Sequence, residues 1–329
     1  MRFFRRWLLS ALLIVPGLAC QPREDLPTSA VTRTSPLVTI LSQVEYEVHQ
    51  TLTLVNEGSG QPEKQNIWVA LIRDFPPYQE VMSTQISPAD YELITDEYGN
   101  QYAEFDFSRH PAGTTITVQI DYRVAVNELA YDLSRCEGEL VDDFIQPELH
   151  IESVNPQIVN LARELSRGTE TICQQVREFY DYIGDELVYT YNGKNWGAQA
   201  ALGTMGADCT EFTSLLVALS RSQRIPARYF EGLLFLETET ETIARVEHAW
   251  PDVYMPGVGW VSLDPTLGRS RLDRETYFAH HTPEHIIVTL GPNPSTLRGG
   301  SYWSHLYWPG NSTRIRVEAK EWEIELAEK

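Results

Sequence analysis

The sequence predicts an α+β protein, in which an antiparallel β-sandwich of immunoglobulin-like type precedes a mixed domain with helices first and strands afterwards. Three observations carry this reading. Apolar residues alternate with period two from Val44 to Val126, the spacing becomes helical after Asn155, and it returns to two beyond Tyr229. A chain of 329 residues is long enough for two domains, because single cores rarely exceed about 250–300 residues. With 42% hydrophobic and 11% aromatic residues, it carries more apolar surface than a disordered chain would.

Residues 1–20 read as an export signal. Arg2, Arg5 and Arg6 form a positive start, residues 7–15 are an apolar run too short to span a bilayer comfortably, and Gly17, Leu18 and Ala19 lead to Cys20. The Leu-Ala-Cys ending resembles a lipobox, which makes Cys20 a candidate for lipidation and for the mature N-terminus. A secreted soluble protein and an uncleaved anchor are the alternatives. Residues 21–36 are polar and punctuated by Pro22, Pro27 and Pro36, the composition of a flexible tether.

Residues 37–128 form the predicted sandwich. Val44, Tyr46, Val48, Leu52 and Leu54 share one strand face, followed by Ile67, Val69 and Leu71, and later by the alternation from Ile116 to Val126. Turn signals stand between these runs at Gly58 to Gly60, Pro76-Pro77, Gly99-Asn100 and Pro111 to Gly113. Residues 129–154 read as a linker, and residues 155–329 as the second domain.

In that second domain Asn155 can cap a helix with Pro156 at its first position and Ile158, Leu161, Ala162 and Leu165 on one face. A second helix follows Thr169, striped by Ile172, Val176, Phe179, Tyr180 and Ile183. In the third, Phe212, Leu215, Leu216 and Leu219 define one apolar face. Its start is marked by Asp208 as N-cap and Glu211 three residues on, a capping box that puts Cys209 on the first helical residue. There the unpaired N–H groups and the positive end of the helix favour a thiolate over a thiol. A buried or disulfide-bonded cysteine is the structural alternative.

Strands are then predicted from Tyr229 to Leu236, from Val246 to Met255 and from Trp260 to Asp264, the last two joined by a turn at Pro256 to Gly259. A turn centred near Gly257 sets Asp264 opposite Trp250. His248 then lies diagonally from Asp264, at roughly 7–8 Å by backbone spacing. A lone strand histidine is usually structural; the aspartate within reach is what makes this one a candidate.

The segments Gly-Ala-Asp-Cys-Thr-Glu-Phe at 206–212, Glu-His-Ala-Trp-Pro-Asp-Val-Tyr at 247–254 and Trp-Val-Ser-Leu-Asp-Pro-Thr at 260–266 together resemble the Cys, His and Asp motifs of the transglutaminase-like superfamily, whose core is papain-like. Residues 224–228 are similar to the family's Gly-Ile-Pro-Ala-Arg, with Arg224 in place of the glycine. The resemblance covers residues 155–290. It implies a papain-like catalytic domain with Cys209 as nucleophile, His248 as base and later acid, and Asp264 as the group that orients the imidazole. It further implies attack on an amide of a peptide or protein and a thioester acyl-enzyme, resolved by water in a peptidase or deamidase, or by an amine in a transglutaminase. The Cys209 N–H is the first expected oxyanion donor, and Trp196, Asn195 and Gln199 are candidates for the second. A non-enzymatic binding or scaffold protein on the same fold is the competing reading, and the sandwich is a candidate platform for recruiting protein substrates.

Export permits disulfides, and with Cys20 and Cys209 otherwise used, Cys136 and Cys173 are either a disulfide pair or two buried thiols. No CxxC, paired Cys/His spacing or EF-hand loop is visible, so neither a metal nor another cofactor is expected. His280, His281 and His285 have no acidic or cysteine partner at ligand spacing, and the aromatic run 302–308 is expected to pack in a core or to rim a substrate site. The formal charge of −20 argues against nucleic acid as a partner. The expected location is extracytoplasmic, periplasmic or at the cell surface, with a lipid anchor on the membrane.

Overall fold

The computed structural model describes residues 37–191, 196–203, 206–237, 242–319 and 322–328. The predicted signal, tether and Cys20 lie outside these residues. The alternation of the first third becomes β1 (Val38–Asn56), β2 (Lys64–Leu71), β3 (Gln79–Ser87), β4 (Glu92–Thr95), β5 (Gln101–Asp106) and β6 (Thr115–Tyr131). β1 and β6 pair antiparallel along nearly their whole length, from Val38 opposite Tyr131 to Val55 opposite Thr115. Period two sends Tyr46, Val48, Leu52 and Leu54 inward, where they meet Ile67, Val69 and Phe105 of the facing sheet.

The middle of the chain is helical: α1 (Pro156–Leu165), α2 (Ile172–Glu186), the short α3 (Ala198–Ala201) and α4 (Cys209–Ser222). Asn155 caps α1, its side chain accepting from the Gln157 N–H at 2.8 Å. α2 begins at a capping box between Thr171 and Gln174. After α4 come β7 (Ala227–Glu237), β8 (Thr242–Met255), β9 (Gly259–Ser262), the two-residue β10 (His280–His281) and β11 (His285–Leu290). The order in this second sheet is β11-β7-β8-β9, all antiparallel.

Helices cover one face of the β11-β7-β8-β9 sheet, where Tyr229, Ala249 and Val253 join the cluster of Phe212, Leu215 and Leu216. The opposite face packs on the N-terminal part of the chain, Phe230 and Trp250 against Phe75 and Tyr78. The tail adds β12 (Trp303–Trp308), β13 (Ile315–Ala319) and β14 (Glu323–Leu326). The sequence reading places all residues from 155 to 329 in the second domain. Instead β12 pairs with β2, while β13 and β14 pair with β1, so the sandwich is completed by the C-terminus. An alternating pattern specifies a half-buried strand but not its partner, and the long outer edge of β1 is what the tail covers.

Three residues depart from what a local rule would choose. Arg224 has a φ of 61°, in the left-handed region just past the end of α4 that glycine enters at least cost. This is the position where the resembled motif has its glycine. Arg228 and Asp252, which face each other across β7 and β8, form a buried ion pair that Tyr78 joins by donating to Asp252 Oδ2 at 2.9 Å.

The β11 edge of the second sheet is sealed by two amide side chains. Gln79 donates to the Ile287 carbonyl at 2.9 Å and accepts from the Ile287 N–H at 2.7 Å. Asn100 does the same for Leu290, at 2.7 and 2.8 Å. Each amide thus occupies the place of a missing neighbouring strand. Asn100→Ala leaves both Leu290 groups buried without partners and is expected to lower stability by about 1–3 kcal/mol, read from urea unfolding with an unchanged slope. A loss within about 0.5 kcal/mol, the range of ordinary surface substitutions, would show that the amide seal contributes little.

Candidate active site

The capping box at the start of α4 forms as its residues dictate. The Asp208 carboxylate accepts from the Thr210 N–H at 3.0 Å, and Glu211 Oε2 accepts from the Asp208 N–H at 2.9 Å. Cys209 is therefore the first helical residue, a half-buried free thiol. One apolar face was expected for this helix, but every residue from Glu211 to Arg221 is buried. Neighbouring helices and the β7-β8 sheet enclose α4, and the Thr213 hydroxyl is anchored on the Ala249 carbonyl at 3.0 Å. A helix so enclosed holds its first residue in a fixed place. Burial pushes the Glu211 carboxyl up to about 7, with the nearby Asp208 charge adding to the rise.

The β8–β9 hairpin has the expected register. Asp252 pairs with Ser262 and Met255 with Gly259, and the Leu263 N–H donates to the Pro251 carbonyl at 3.1 Å, which sets Asp264 level with Trp250. His248 Nε2 lies 2.7 Å from Asp264 Oδ2, both groups buried. Because Nε2 is committed to the carboxylate, Nδ1 is the ring nitrogen left for the Cys209 side chain, which lines the same cavity. The Trp250 indole stacks on the imidazole at 5.9 Å between ring centroids. On the neighbouring strand Gly232 pairs with His248; a Cβ there would collide with the Ile286 carbonyl and the Trp250 ring.

Asp264 has more partners than the sequence suggested. Its Oδ1 accepts from the Thr266 and Leu267 N–H groups, both at 2.9 Å. Its Oδ2 also receives His285 Nε2 at 3.1 Å, and His285 Nδ1 in turn lies 2.9 Å from the Thr282 hydroxyl. The expectation that His285 lacks an acidic partner is thereby corrected: β11 pairs with β7 and brings it beside the end of the β8–β9 hairpin. Local spacing held no signal for it.

Burial works against charge at both Asp264 and His248, yet the pair overrides it. The His248 charge and the hydrogen bonds from His248 and His285 hold the Asp264 carboxyl well below the usual carboxylate range. Asp264, and then contact with Cys209, raises His248 above the ordinary imidazole value. His248, Asp264 and His285 present ligand atoms within 4.8 Å of one another, the geometry of a candidate metal cluster. The distances are those of direct hydrogen bonds, with Asp264 Oδ2 shared by two imidazoles, which accounts for the cluster as a proton-linked network.

Cys209 and His248 line a cavity of about 300 Å³ together with Tyr189, Tyr191, Glu231 and Tyr302. The second-donor candidates fare differently. The Gln199 N–H already donates to Glu152 Oε2 at 3.1 Å, and Trp196 lines a smaller adjoining cavity with its ring against His150. Asn195 lies outside the described residues. Cys136 and Cys173 form a disulfide that fastens the segment after β6 to the first turn of α2. In the tail, Tyr302 lines the cleft while its hydroxyl donates to the Gly232 carbonyl at 2.8 Å, and residues from Trp303 onward pair in the sandwich.

The model of the transglutaminase-like superfamily matches residues 159–265, the stretch that holds Cys209, His248 and Asp264. The uncharacterised protein YebA of Bacillus subtilis is 28% identical over 135 residues, covering 36% of this chain but only 18% of that longer protein. The crystal structure of a candidate cysteine protease from Cytophaga hutchinsonii has a TM-score of 0.63 at 17% identity and covers 88% of this chain and 92% of that one, a likeness of fold. The periplasmic domain of TgpA from Pseudomonas aeruginosa, bound to ethylmercury, is 18% identical, covers 68% of this chain and 92% of that one, and has a TM-score of 0.37, too low to equate the folds. Residues 159–265 of this α+β chain thus match the transglutaminase-like superfamily.

Proposed function

We propose that the protein is a cysteine-dependent enzyme that acts on amide bonds of peptides or proteins. The observation that carries this is the convergence on one cavity of a free thiol on the first residue of α4 and an imidazole whose Nε2 is held by a buried carboxylate. In this reading His248 takes the Cys209 proton, and the sulfur attacks the amide carbonyl carbon. The C–N bond breaks as the His248 imidazolium returns that proton to the leaving amine, and a thioester remains on Cys209. In this reading the Cys209 N–H, at the positive end of α4, donates to the oxyanion of the tetrahedral intermediate. Asp264 stays ionised, fixes the imidazole tautomer and stabilises imidazolium. His285 acts at one remove, as a positioning residue for Asp264. Water as the second nucleophile makes the enzyme a peptidase or deamidase; a primary amine makes it a transglutaminase.

The same reading places the chain outside the cytoplasm, with Cys20 as its lipid attachment. The signal pattern of residues 1–20 and the Cys136–Cys173 disulfide, a bond suited to an oxidising compartment, both support this. Among the described residues no helix is long and apolar enough to cross a membrane. Cys20→Ser is expected to move the protein from the membrane to the soluble fraction on cell fractionation, and retention in the membrane would count against lipid anchoring.

Incubation with a mixture of Gln- and Lys-containing peptides, followed by mass spectrometry, tests the chemistry. The expected result is cleavage, deamidation or cross-linked products with the native protein, and a loss of at least about 10³-fold with Cys209→Ala, as for removal of a covalent nucleophile. Equal product from both proteins, or none from either, favours the binding-scaffold alternative.

A further inference from the structure

The cleft beside Cys209 contains a carboxyl group that the proposed chemistry does not use. Glu231 lies on β7 opposite Ala249, and it lines both the cavity of about 300 Å³ that holds Cys209 and an adjoining one of about 60 Å³. Thr210 and Ser301 are likewise common to both, so the two spaces meet at these three residues. The smaller space is enough for a few water molecules or the end of one extended side chain. Glu231 is half-buried, and its Oε2 is shut away from solvent with no hydrogen-bond partner.

A buried carboxyl oxygen without a donor is costly, and ligand sites are where such costs are tolerated. Burial, and then the charge of Glu247 in the same cleft, pushes this carboxyl up to about 8. A cation entering the cavity would offset both contributions. Aromatic rings lie on the way in: Tyr191 and Trp196 are 83% and 52% exposed at the rims of the two cavities. Aromatic faces leading to a carboxyl suit an ammonium or guanidinium group on an apolar stem. No lysine or arginine is among the described residues that line either cavity.

We infer that Glu231 is the base of a subsite for an alkylammonium or guanidinium group, placed next to the reactive thiol. The inference rests on the reading of Cys209 as that thiol. The cation has two possible sources, a basic side chain near the attacked amide or the amine that resolves the thioester.

Binding to the full-length Cys209→Ala protein separates this inference from the proposed activity. The probes are fluorescent peptides with a central Gln, carrying Lys or the uncharged isostere norleucine at each flanking position, with n-butylamine as competitor. At one position or more, Lys is expected to bind about tenfold more tightly than norleucine, the scale of a charge-assisted hydrogen bond. The added substitution Glu231→Gln removes that preference. Displacement of the lysine peptide by n-butylamine assigns the subsite to a free amine acceptor; a preference that butylamine does not disturb assigns it to a residue of the acyl donor. Equal binding of every Lys and norleucine pair, or no binding of any peptide, overturns the subsite. The Lys–norleucine comparison needs no change at Glu231, so misfolding of Glu231→Gln would not obscure it. Turnover by the native protein without a lysine preference would refute the subsite alone, and a preference without turnover would refute the enzyme reading alone.

Discussion

The structure around the cleft is organised by the need to keep an ionised carboxylate inside the protein. Asp264 is buried, and an unpaired carboxylate there would cost far more than a hydrogen bond returns. Its donors come from three separate segments: its own turn at Thr266 and Leu267, His248 on β8 and His285 on β11. Satisfying one side chain therefore requires the hairpin register, the β11–β7 pairing and the turn after β9 together. That shared requirement links the stability of the sheet to the electrostatic state of His248.

A second constraint is the rigidity of α4. An amphipathic surface helix could fray at its first turn, but this one is buried along its length and tied at its start by the reciprocal Asp208–Glu211 bonds. The sandwich contributes from the far side of the sheet. Its Gln79 and Asn100 amides complete the backbone of β11, the strand that carries His285. The N-terminal half of the chain and its last three strands thus act on the cleft through packing and backbone hydrogen bonds.

Much of this was legible in the sequence wherever a rule acts over a few residues. Period-two alternation identified β1, β2 and β6; Asn155-Pro156 and Asp208-x-x-Glu211 marked two helix starts; and the Gly257 turn fixed the register that sets Asp264 level with Trp250. What escaped depends on contacts distant in sequence. His285 meets Asp264 only because β11 crosses to β7, and β12 to β14 leave the second domain because edges of β1 and β2 accept them. The burial of α4 on all sides was partly visible in its small residues, Thr213, Ser214 and Ala218, which let neighbours approach. The tenancy of a left-handed position by Arg224 has no local explanation in the residues around it.

The chemistry turns on Asp264 stabilising the imidazolium that His248 becomes when it takes the Cys209 proton. An NMR titration of the imidazole signals, with His248 assigned by comparison with His248→Gln, reads this directly. A raised value means that the proton is retained until pH climbs through it. The account predicts that His248 stays protonated well above the ordinary imidazole value of about 6.5, and that Asp264→Asn, which removes the charge but keeps the shape, brings the titration down toward or below that value. A His248 that titrates near 6.5 in both proteins would contradict the account.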